Sequence, residues 1–347
     1  MRTDDFNFDL PEAQIAQYPA ERRGESRLFV LDRDGGGRTH SSVKDLASFL
    51  EPGTLMVFND SKVRKARLYG TAADTGAQVE FLLLGPASGG AGVLTSTATW
   101  VAMASKARRQ RIGRAYSFPG GLEGRIIGEK DDEKVIEFSR PIGDDYLDVA
   151  GHIPLPPYIK RGDEGSDSER YQTVYARSTG SSACPTAGLH FTRPILDSIA
   201  AAGVDIEWVT LHVGLGTFLP VRVEQIERHK MHEEWYSVPE KTAAAVNEAK
   251  REGRKVFAVG TTSLRTLESA WAEGGLRAGA ASTSIFIYPG YRFKVVDQLF
   301  TNFHTPMSTL LMLVSAFAGR ETILDAYAEA VREGYRFFSY GDAMLIR

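Results

Sequence analysis

The chain changes texture near residue 62 and changes back near residue 150, and this pair of switches limits its fold more than any other feature. On either side, apolar strands alternate with helical segments. Inside the interval, Arg67-Leu-Tyr-Gly, Gln78–Leu84, Trp100-Val-Ala-Met, Gly124-Arg-Ile-Ile and Lys134–Phe138 are short and β-rich, with Gly, Pro and Asp turns between them. No stretch there keeps a 3.6-residue period for three turns, so a small barrel or sandwich is expected. Gly85–Gly92 and Pro119–Gly121 read as surface loops. A length of 347 residues also favours two domains, because one core rarely grows past about 250–300 residues.

The outer segments give the rest of the frame. Arg27–Leu31 and Thr54–Phe58 read as buried strands, and the second runs into Asn59-Asp60-Ser61-Lys62, either a functional loop or a turn that caps the next element. Val43–Leu50 is predicted as a short helix, Gly151–Ile159 as extended because of its prolines, and Asp163–Arg170 as a charged loop. Pro194–Ala202 reads as a helix stopped by Gly203. In the strand Val204–Val213, a period of two places Ile206, Trp208, Thr210 and His212 on one face, with His212 at the buried end. Pro239–Arg251 is a further helix. Lys255–Val259 is a strand leading into Gly260-Thr-Thr-Ser-Leu-Arg265 and a helix through Trp271. That junction offers free N–H groups to an anion, or an N-cap by Thr262 or Ser263; both can hold together. Ser284–Tyr288 is predicted as a strand, Pro289–Lys294 as a turn presenting aromatic and basic groups, and Ser308–Phe317 as a core helix.

Composition excludes several classes. A net charge of −3 argues against a bulk nucleic-acid binder, and the densest basic run, Lys106–Arg111, reads as a solvated loop. One cysteine, Cys184, rules out disulfide frameworks, Cys-rich zinc sites and iron–sulfur clusters, hence radical chemistry on such a cluster. It reads as a packing residue. The N-terminus lacks the apolar core of a signal peptide, and no apolar stretch is long enough to span a bilayer, so a cytoplasmic protein is expected.

Three histidine-bearing turns rich in Gly, Ser and Thr fall within 179–232: Thr179-Gly-Ser-Ser-Ala-Cys-Pro-Thr-Ala-Gly-Leu-His190, Leu211-His-Val-Gly-Leu-Gly-Thr-Phe218 and His229-Lys-Met-His-Glu-Glu234. Packing alone would favour Leu, Val and Ala at most of these places, so the stretch reads as an active-site floor. His190 and His212 border glycine turns and are candidates for acid–base work. A metallohydrolase on His229, His232 and Glu234 is the rival reading, although HExxH spacing is absent. No G-x-S-x-G elbow is present.

IAQYPAERRGESRLFVLDR, GHIPLPPYIKR, CPTAGLHFT, TLHVGLGTFLPV, HKMHEEWY, GTTSLRTLES, PGYRFKVVDQLFTNFHTPMSTLLMLVSAF and YRFFSYGDAMLI, spread from residue 15 to 346, together resemble the S-adenosylmethionine:tRNA ribosyltransferase-isomerases of queuosine biosynthesis. The resemblance implies an α/β fold, with a larger mixed-sheet domain (1–61 plus 151–347) interrupted by a small antiparallel β-barrel (62–150). It implies transfer and isomerisation of the ribosyl part of S-adenosylmethionine onto 7-aminomethyl-7-deazaguanine at the tRNA wobble position, giving epoxyqueuosine, adenine and methionine. S-adenosylmethionine is then a co-substrate, with no prosthetic group or metal, and the protein is expected to be a monomer that binds tRNA and no membrane. A non-catalytic tRNA-binding module is the alternative.

By the same resemblance, His190, His212 and His232 with Glu234 are the expected proton carriers. Thr186, Gly188, Gly214, Gly216, Thr217, Asn302 and His304 are expected at the substrate, with Thr262, Ser263 and Arg265 on the methionine carboxylate. Tyr291, Arg292 and Lys294, together with Arg64, Lys65 and Arg67, are expected to meet RNA. The chain departs from the family pattern at Arg64-Lys65, where Ile-Pro is usual, at Thr305 and Met307, where Leu and a base are usual, and at Cys184, where Ala is usual. Arg64 and Lys65 are candidates to compensate for the base missing at Met307.

Overall fold

The computed structural model describes residues 1–87, 96–130, 133–214 and 221–347. Side-chain alternation decides the first strands. In β1 (Arg27–Leu31), Leu28 and Val30 enter one apolar cluster while Phe29 and Leu31 enter another. β2 (Arg38–Ser42) pairs antiparallel with β1 at the sheet edge. β3 (Leu55–Asn59) divides in the same way, Leu55 and Val57 against Met56 and Phe58, and is buried throughout. Such continuous apolar runs belong to strands covered on both faces. The short β4 (Ser61–Val63) follows.

β5 (Arg67–Ala72), β6 (Gln78–Pro86), β7 (Thr97–Ala104), β8 (Ala115–Phe118), β9 (Leu122–Lys130) and β10 (Glu133–Ile142) then close an antiparallel barrel in the order β10-β7-β6-β5-β8-β9. Trp100, Phe81, Tyr116, Phe118 and Ile136 fill its interior. Phe118 lies across two strands that carry glycine where it passes; a Cβ on Gly70 would stand 2.7 Å from the ring. Of the expected surface loops, Pro119–Gly121 is a 3-10 turn, Gly85 and Pro86 belong to β6, and 88–92 lie outside the described residues.

The chain returns through α1 (Asp144–Ala150), α2 (Asp167–Arg170) and β11 (Ser178–Ser181), which pairs parallel with β4. α3 (Arg193–Ala201), β12 (Asp205–Leu211), β13 (Glu234–Val238), α4 (Glu240–Arg251), β14 (Val256–Val259) and α5 (Gly260–Ala270) follow. A small hairpin, β15 (Trp271–Ala272) with β16 (Gly275–Leu276), precedes β17 (Gly279–Thr283) and β18 (Gln298–Asn302). α6 (Thr309–Ala318), α7 (Arg320–Arg332) and β19 (Ala343–Ile346) complete the chain. The nine-stranded sheet runs β17-β13-β12-β3-β14-β18-β19-β1-β2, with β12, β3, β14 and β18 parallel neighbours. This is the expected mixed α/β architecture with an antiparallel barrel. No helix among the described residues is long and apolar enough to cross a membrane.

Several elements differ from the sequence expectations. Ser284–Tyr288 is not a strand; the pairing with β13 falls on Gly279–Thr283, an exposed edge whose backbone bonds outweigh its weak side-chain pattern. The charged stretch 163–170 contains α2, and Asp167 is 1% exposed, holding Arg161 through two bonds and Tyr340 through its hydroxyl. α5 begins at Gly260, so neither Thr262 nor Ser263 caps it. Asn59 takes the structural option: its amide bonds both N–H and C=O of Leu211.

The two parts meet tightly. Arg67 and His152 exchange backbone bonds of 3.3 and 2.8 Å, Arg64 Nε reaches Asp144 Oδ1 at 2.6 Å, and a Cβ on Gly151 would stand 2.0 Å from the Lys65 carbonyl oxygen. Backbone cannot give way as a side chain does, so Gly151→Ala is expected to destabilise the protein by roughly 2–3 kcal/mol, the upper range for overpacking. Urea unfolding measures it. An unchanged midpoint would show that the junction is loose.

Candidate active site

Parallel strands release their chains at one edge of a sheet, and the crevice beyond those carboxyl ends is the general ligand position in open α/β folds. Here a cavity of about 310 Å³ lies there. Its walls come from the Thr186–His190 turn, Val213 after β12, the first residues of α5, the segment 302–308 after β18, and Phe338-Ser339. No Lys, Arg, Asp or Glu lines it among the described residues.

Asn302, 3% exposed, ties these walls together. Its Oδ1 accepts from Thr186 Oγ1 at 3.1 Å, and its Nδ2 donates to the Phe338 carbonyl at 3.2 Å and to His190 Nε2 at 3.0 Å. An amide donor facing Nε2 requires a lone pair there, so His190 is neutral with its proton on Nδ1. Burial agrees, pushing His190 down to about 3, with Arg336 and Arg23 adding to the effect. His190 therefore stands behind Asn302 and does not line the cavity. His304 does line it; its Nε2 lies 3.0 Å from Thr301 Oγ1, its N–H donates to the Tyr327 hydroxyl, and burial lowers it to about 3.

Two aromatic residues that the sequence did not single out form a wall. Phe338 has φ +74°, a conformation costing a bulky residue about 1–3 kcal/mol. Its N–H donates to the Phe303 carbonyl at 3.1 Å while Asn302 holds its own carbonyl, so the strain is maintained from both sides. Its ring packs 4.8 Å from that of Tyr158, whose hydroxyl meets Ser339 Oγ at 2.5 Å. The flanking motifs GHIPLPPYIKR and YRFFSYGDAMLI were legible; the strained backbone was not. Met307, also at positive φ (55°), is fixed by donating its N–H to the Phe6 carbonyl.

The start of α5 forms the opposite wall. Gly260 has φ +85° and passes close to Ala187, which a Cβ would meet at 3.4 Å. Thr262 lines the cavity, whereas Ser263 and Arg265 lie behind it, and among the described residues Thr262 Oγ1 and Ser263 Oγ are buried with no partner. One turn on, Arg265 Nη1 pairs with Glu234 Oε2, both side chains 3% exposed, while Arg265 Nε and Nη2 are unpartnered. Glu234 Oε1 also accepts from the Gly214 N–H at 3.1 Å.

The remaining expected residues are dispersed. His212 and Trp235 stack at 5.0 Å on the opposite face of the β12–β13 pair from Glu234 and Val213. Burial, and then Arg64, lower His212 to about 4, and its Nδ1 has no partner among the described residues. Gly180 leaves room for this ring, which a Cβ would approach to 2.7 Å. His232 is exposed, His229 packs on Phe286, and no group of three or more His, Cys, Asp or Glu among the described residues could hold a metal ion. Gly188 is small because Tyr175 and Thr173 press on it. Gly216 and Thr217 lie outside the described residues. Cys184 is buried at the cavity, which pushes its thiol well up.

Among the residues expected to meet RNA, Arg292 and Lys294 are exposed. Tyr291 is turned inward, donating to Glu268 Oε2 at 3.0 Å, and buried Glu268 also accepts from the N–H groups of Lys294, Val295 and Val296. Arg64 is 5% exposed and held by Asp144. Arg67 is engaged by Glu80 and the Leu155 carbonyl, and Lys65 by the Asp148 carbonyl.

The model of the family described as "Queuosine biosynthesis protein" matches residues 3–346. The chain is 54% identical to the S-adenosylmethionine:tRNA ribosyltransferase-isomerase of Treponema denticola and 51% identical to that of Moorella thermoacetica, each comparison covering 100% of both chains. A crystal structure of S-adenosylmethionine tRNA ribosyltransferase from Thermotoga maritima is similar over 99% of this chain and 100% of its own, with 34% identity and a TM-score of 0.57.

Neutral buried histidines set a pH response. His190 and His304 titrate near 6.5 when unfolded but only near 3 when folded. The unfolded chain thus binds more protons between these values, and stability, full above 6.5, falls as pH drops towards 3. Replacing one such group, as in His190→Gln, is expected to make the slope of unfolding free energy shallower by up to about 1.4 kcal/mol per pH unit. Denaturant titrations from about pH 6 to pH 4 measure that slope. An unaltered slope would mean that His190 is already charged.

Proposed function

The chain belongs to the queuosine biosynthesis protein family, and from that membership we propose that it transfers and isomerises the ribosyl moiety of S-adenosylmethionine onto 7-aminomethyl-7-deazaguanine at the tRNA wobble position. Epoxyqueuosine-tRNA, adenine and methionine are the products. The observation that carries the reading is full-length agreement with relatives of that name. We assign S-adenosylmethionine as co-substrate, with no resident metal or prosthetic group, and a monomer acting in the cytoplasm.

The cavity suits a sulfonium cation in three respects. Its described walls carry no fixed positive charge, its imidazole stays neutral, and the rings of Phe338 and Tyr158 offer faces that attract a cation or stack on a purine. The helix start at Gly260, with the unpartnered Thr262 and Ser263 hydroxyls, favours the methionine carboxylate. Arg265, already paired with Glu234, retains two unpartnered nitrogens for the same purpose. Proton removal next to sulfur needs a neutral acceptor within reach, and His304 is the imidazole on the cavity wall. His190 acts through Asn302, and Glu234 through Arg265 and Gly214. His212 and His232 remain proton carriers only for a substrate that extends to their side of the sheet.

Purified protein given S-adenosylmethionine and tRNA bearing the aminomethyl base is expected to release adenine only when both are present, with a matching mass change at that nucleotide. An unchanged nucleotide mass would overturn the assignment, and loss of turnover to a chelator would favour a metal-dependent hydrolase.

Phe338→Leu is expected to raise KM for S-adenosylmethionine about tenfold, the value of roughly 1.4 kcal/mol of lost ring contact, with a smaller effect on kcat; Phe338→Tyr restores it. His304→Gln is expected to lower kcat by about 10²–10⁴-fold, the range for one proton-transfer group. Steady-state adenine release reads both, and wild-type constants in either variant would remove that residue from the site.

A further inference from the structure

The cavity of about 310 Å³ accommodates a ligand of nucleoside size, so nearly all of a tRNA must rest on surface outside it. We propose that the far end of the barrel, where the loop 105–114 joins β7 to β8, is a docking surface for the phosphate backbone of the RNA substrate. This rests on the function proposed above.

Residues 106–114 contain five of the chain's 41 basic residues and none of its 44 acidic ones. Lys106, Arg108, Arg109 and Arg111 are exposed, and no described residue pairs with their side chains. Asp74, the acid in the adjoining groove, is neutralised by a two-oxygen contact from Arg114, at 2.9–3.2 Å. The groove between this loop and the Ala73–Ala77 turn, about 890 Å³, is thus bordered by cations with no ion-pair partner among the described residues.

The loop is also built rather than merely solvated. Gln110 is 2% exposed; its Nε2 donates to the Ser105 carbonyl at 2.9 Å, and its Oε1 accepts from the Tyr116 hydroxyl and Arg114 Nη1, both at 2.8 Å. Lys106 takes φ 53°, a conformation unusual outside glycine, to begin the 3-10 turn that follows. A loop serving only as solvated connector needs neither a buried amide pin nor a left-handed lysine. Backbone fixed in this way spares the ordering of the loop itself on binding and leaves only the side chains to be ordered. β5 leads from the domain junction to this end, placing the loop roughly 20 Å beyond the junction by the rise of a strand. RNA phosphates fit this pattern of unpaired, prearranged cations.

The test uses the full chain and the triple variant R108A/R109A/R111A. Affinity for tRNA bearing the aminomethyl base is measured directly between about 50 and 300 mM salt. The variant is expected to bind at least tenfold more weakly at low salt, and its log–log salt slope to be shallower by about 0.7–0.9 per phosphate contact removed. Thermal midpoint, kcat at saturating tRNA and KM for S-adenosylmethionine should match wild type. Equal affinity and slope in the variant would overturn the proposal. So would a loss of slope found only in R292A/K294A, or loop-dependent binding to anionic lipid vesicles in place of tRNA. If wild type binds tRNA through the loop yet releases no adenine, the catalytic reading fails and the docking surface stands.

Discussion

One buried amide sets the shape of the cavity. Asn302 serves as acceptor for Thr186, 116 residues away, and as donor to His190, 112 residues away, and to Phe338, 36 residues away. In water each of these groups would find a partner cheaply. Buried, each depends on Asn302, because an unsatisfied polar group away from solvent costs about 1–3 kcal/mol. The positive φ of Phe338 persists on the same terms: the carbonyl that Asn302 holds and the N–H that the Phe303 carbonyl holds leave the residue no relaxed alternative.

The same logic explains why so much polarity is tolerated under the cavity. The Glu234–Arg265 pair is almost completely buried, and such pairs return little net stability once desolvation is counted. Its position is more informative than its strength. Glu234 fixes the Gly214 N–H at the end of β12, and Arg265 anchors the first turns of α5, so a single pair registers two walls. Among the described residues, the Thr262 and Ser263 hydroxyls and two Arg265 nitrogens beside the pair have no partner, and a buried polar group of that kind calls for an explanation.

The architecture was legible wherever burial and periodicity coincide. Arg27–Leu31 and Lys255–Val259 read correctly because continuous apolar runs leave few options to a short segment. Ser284–Tyr288 misled because its apolar residues pack against the core without pairing, whereas Gly279–Thr283 pairs without an apolar pattern. β8, α7 and β19 are among the elements that went unrecognised. β8 is only four residues long, and β19 lies beyond a polar-aromatic ending that drew the reading to itself. At the cavity, Thr186 and Asn302 fall in motifs that the sequence displays, and both line it. The wall of Phe338 and Tyr158 was not legible, because backbone strain and the meeting of residues 180 positions apart leave no local signature.

Charge brings these observations together. A chain of net charge −3 keeps its described cavity walls free of formal charge, lowers its buried imidazoles, and carries at the far end of the barrel a cluster of cations unpaired among the described residues. A cationic sulfonium and a polyanionic RNA make opposite electrostatic demands, and one uniformly charged surface could not meet both. Fixed cations not neutralised by a partner, as Arg265 is by Glu234, would repel the first, and a neutral surface would hold the second weakly at cellular salt. Setting the barrel into the α/β chain as an insertion separates the two requirements in space. The junction joins the two through the close approach of Gly151 to the Lys65 carbonyl and the bond from Arg64 to Asp144, so the insertion is tied to the sheet domain by backbone and side chain together.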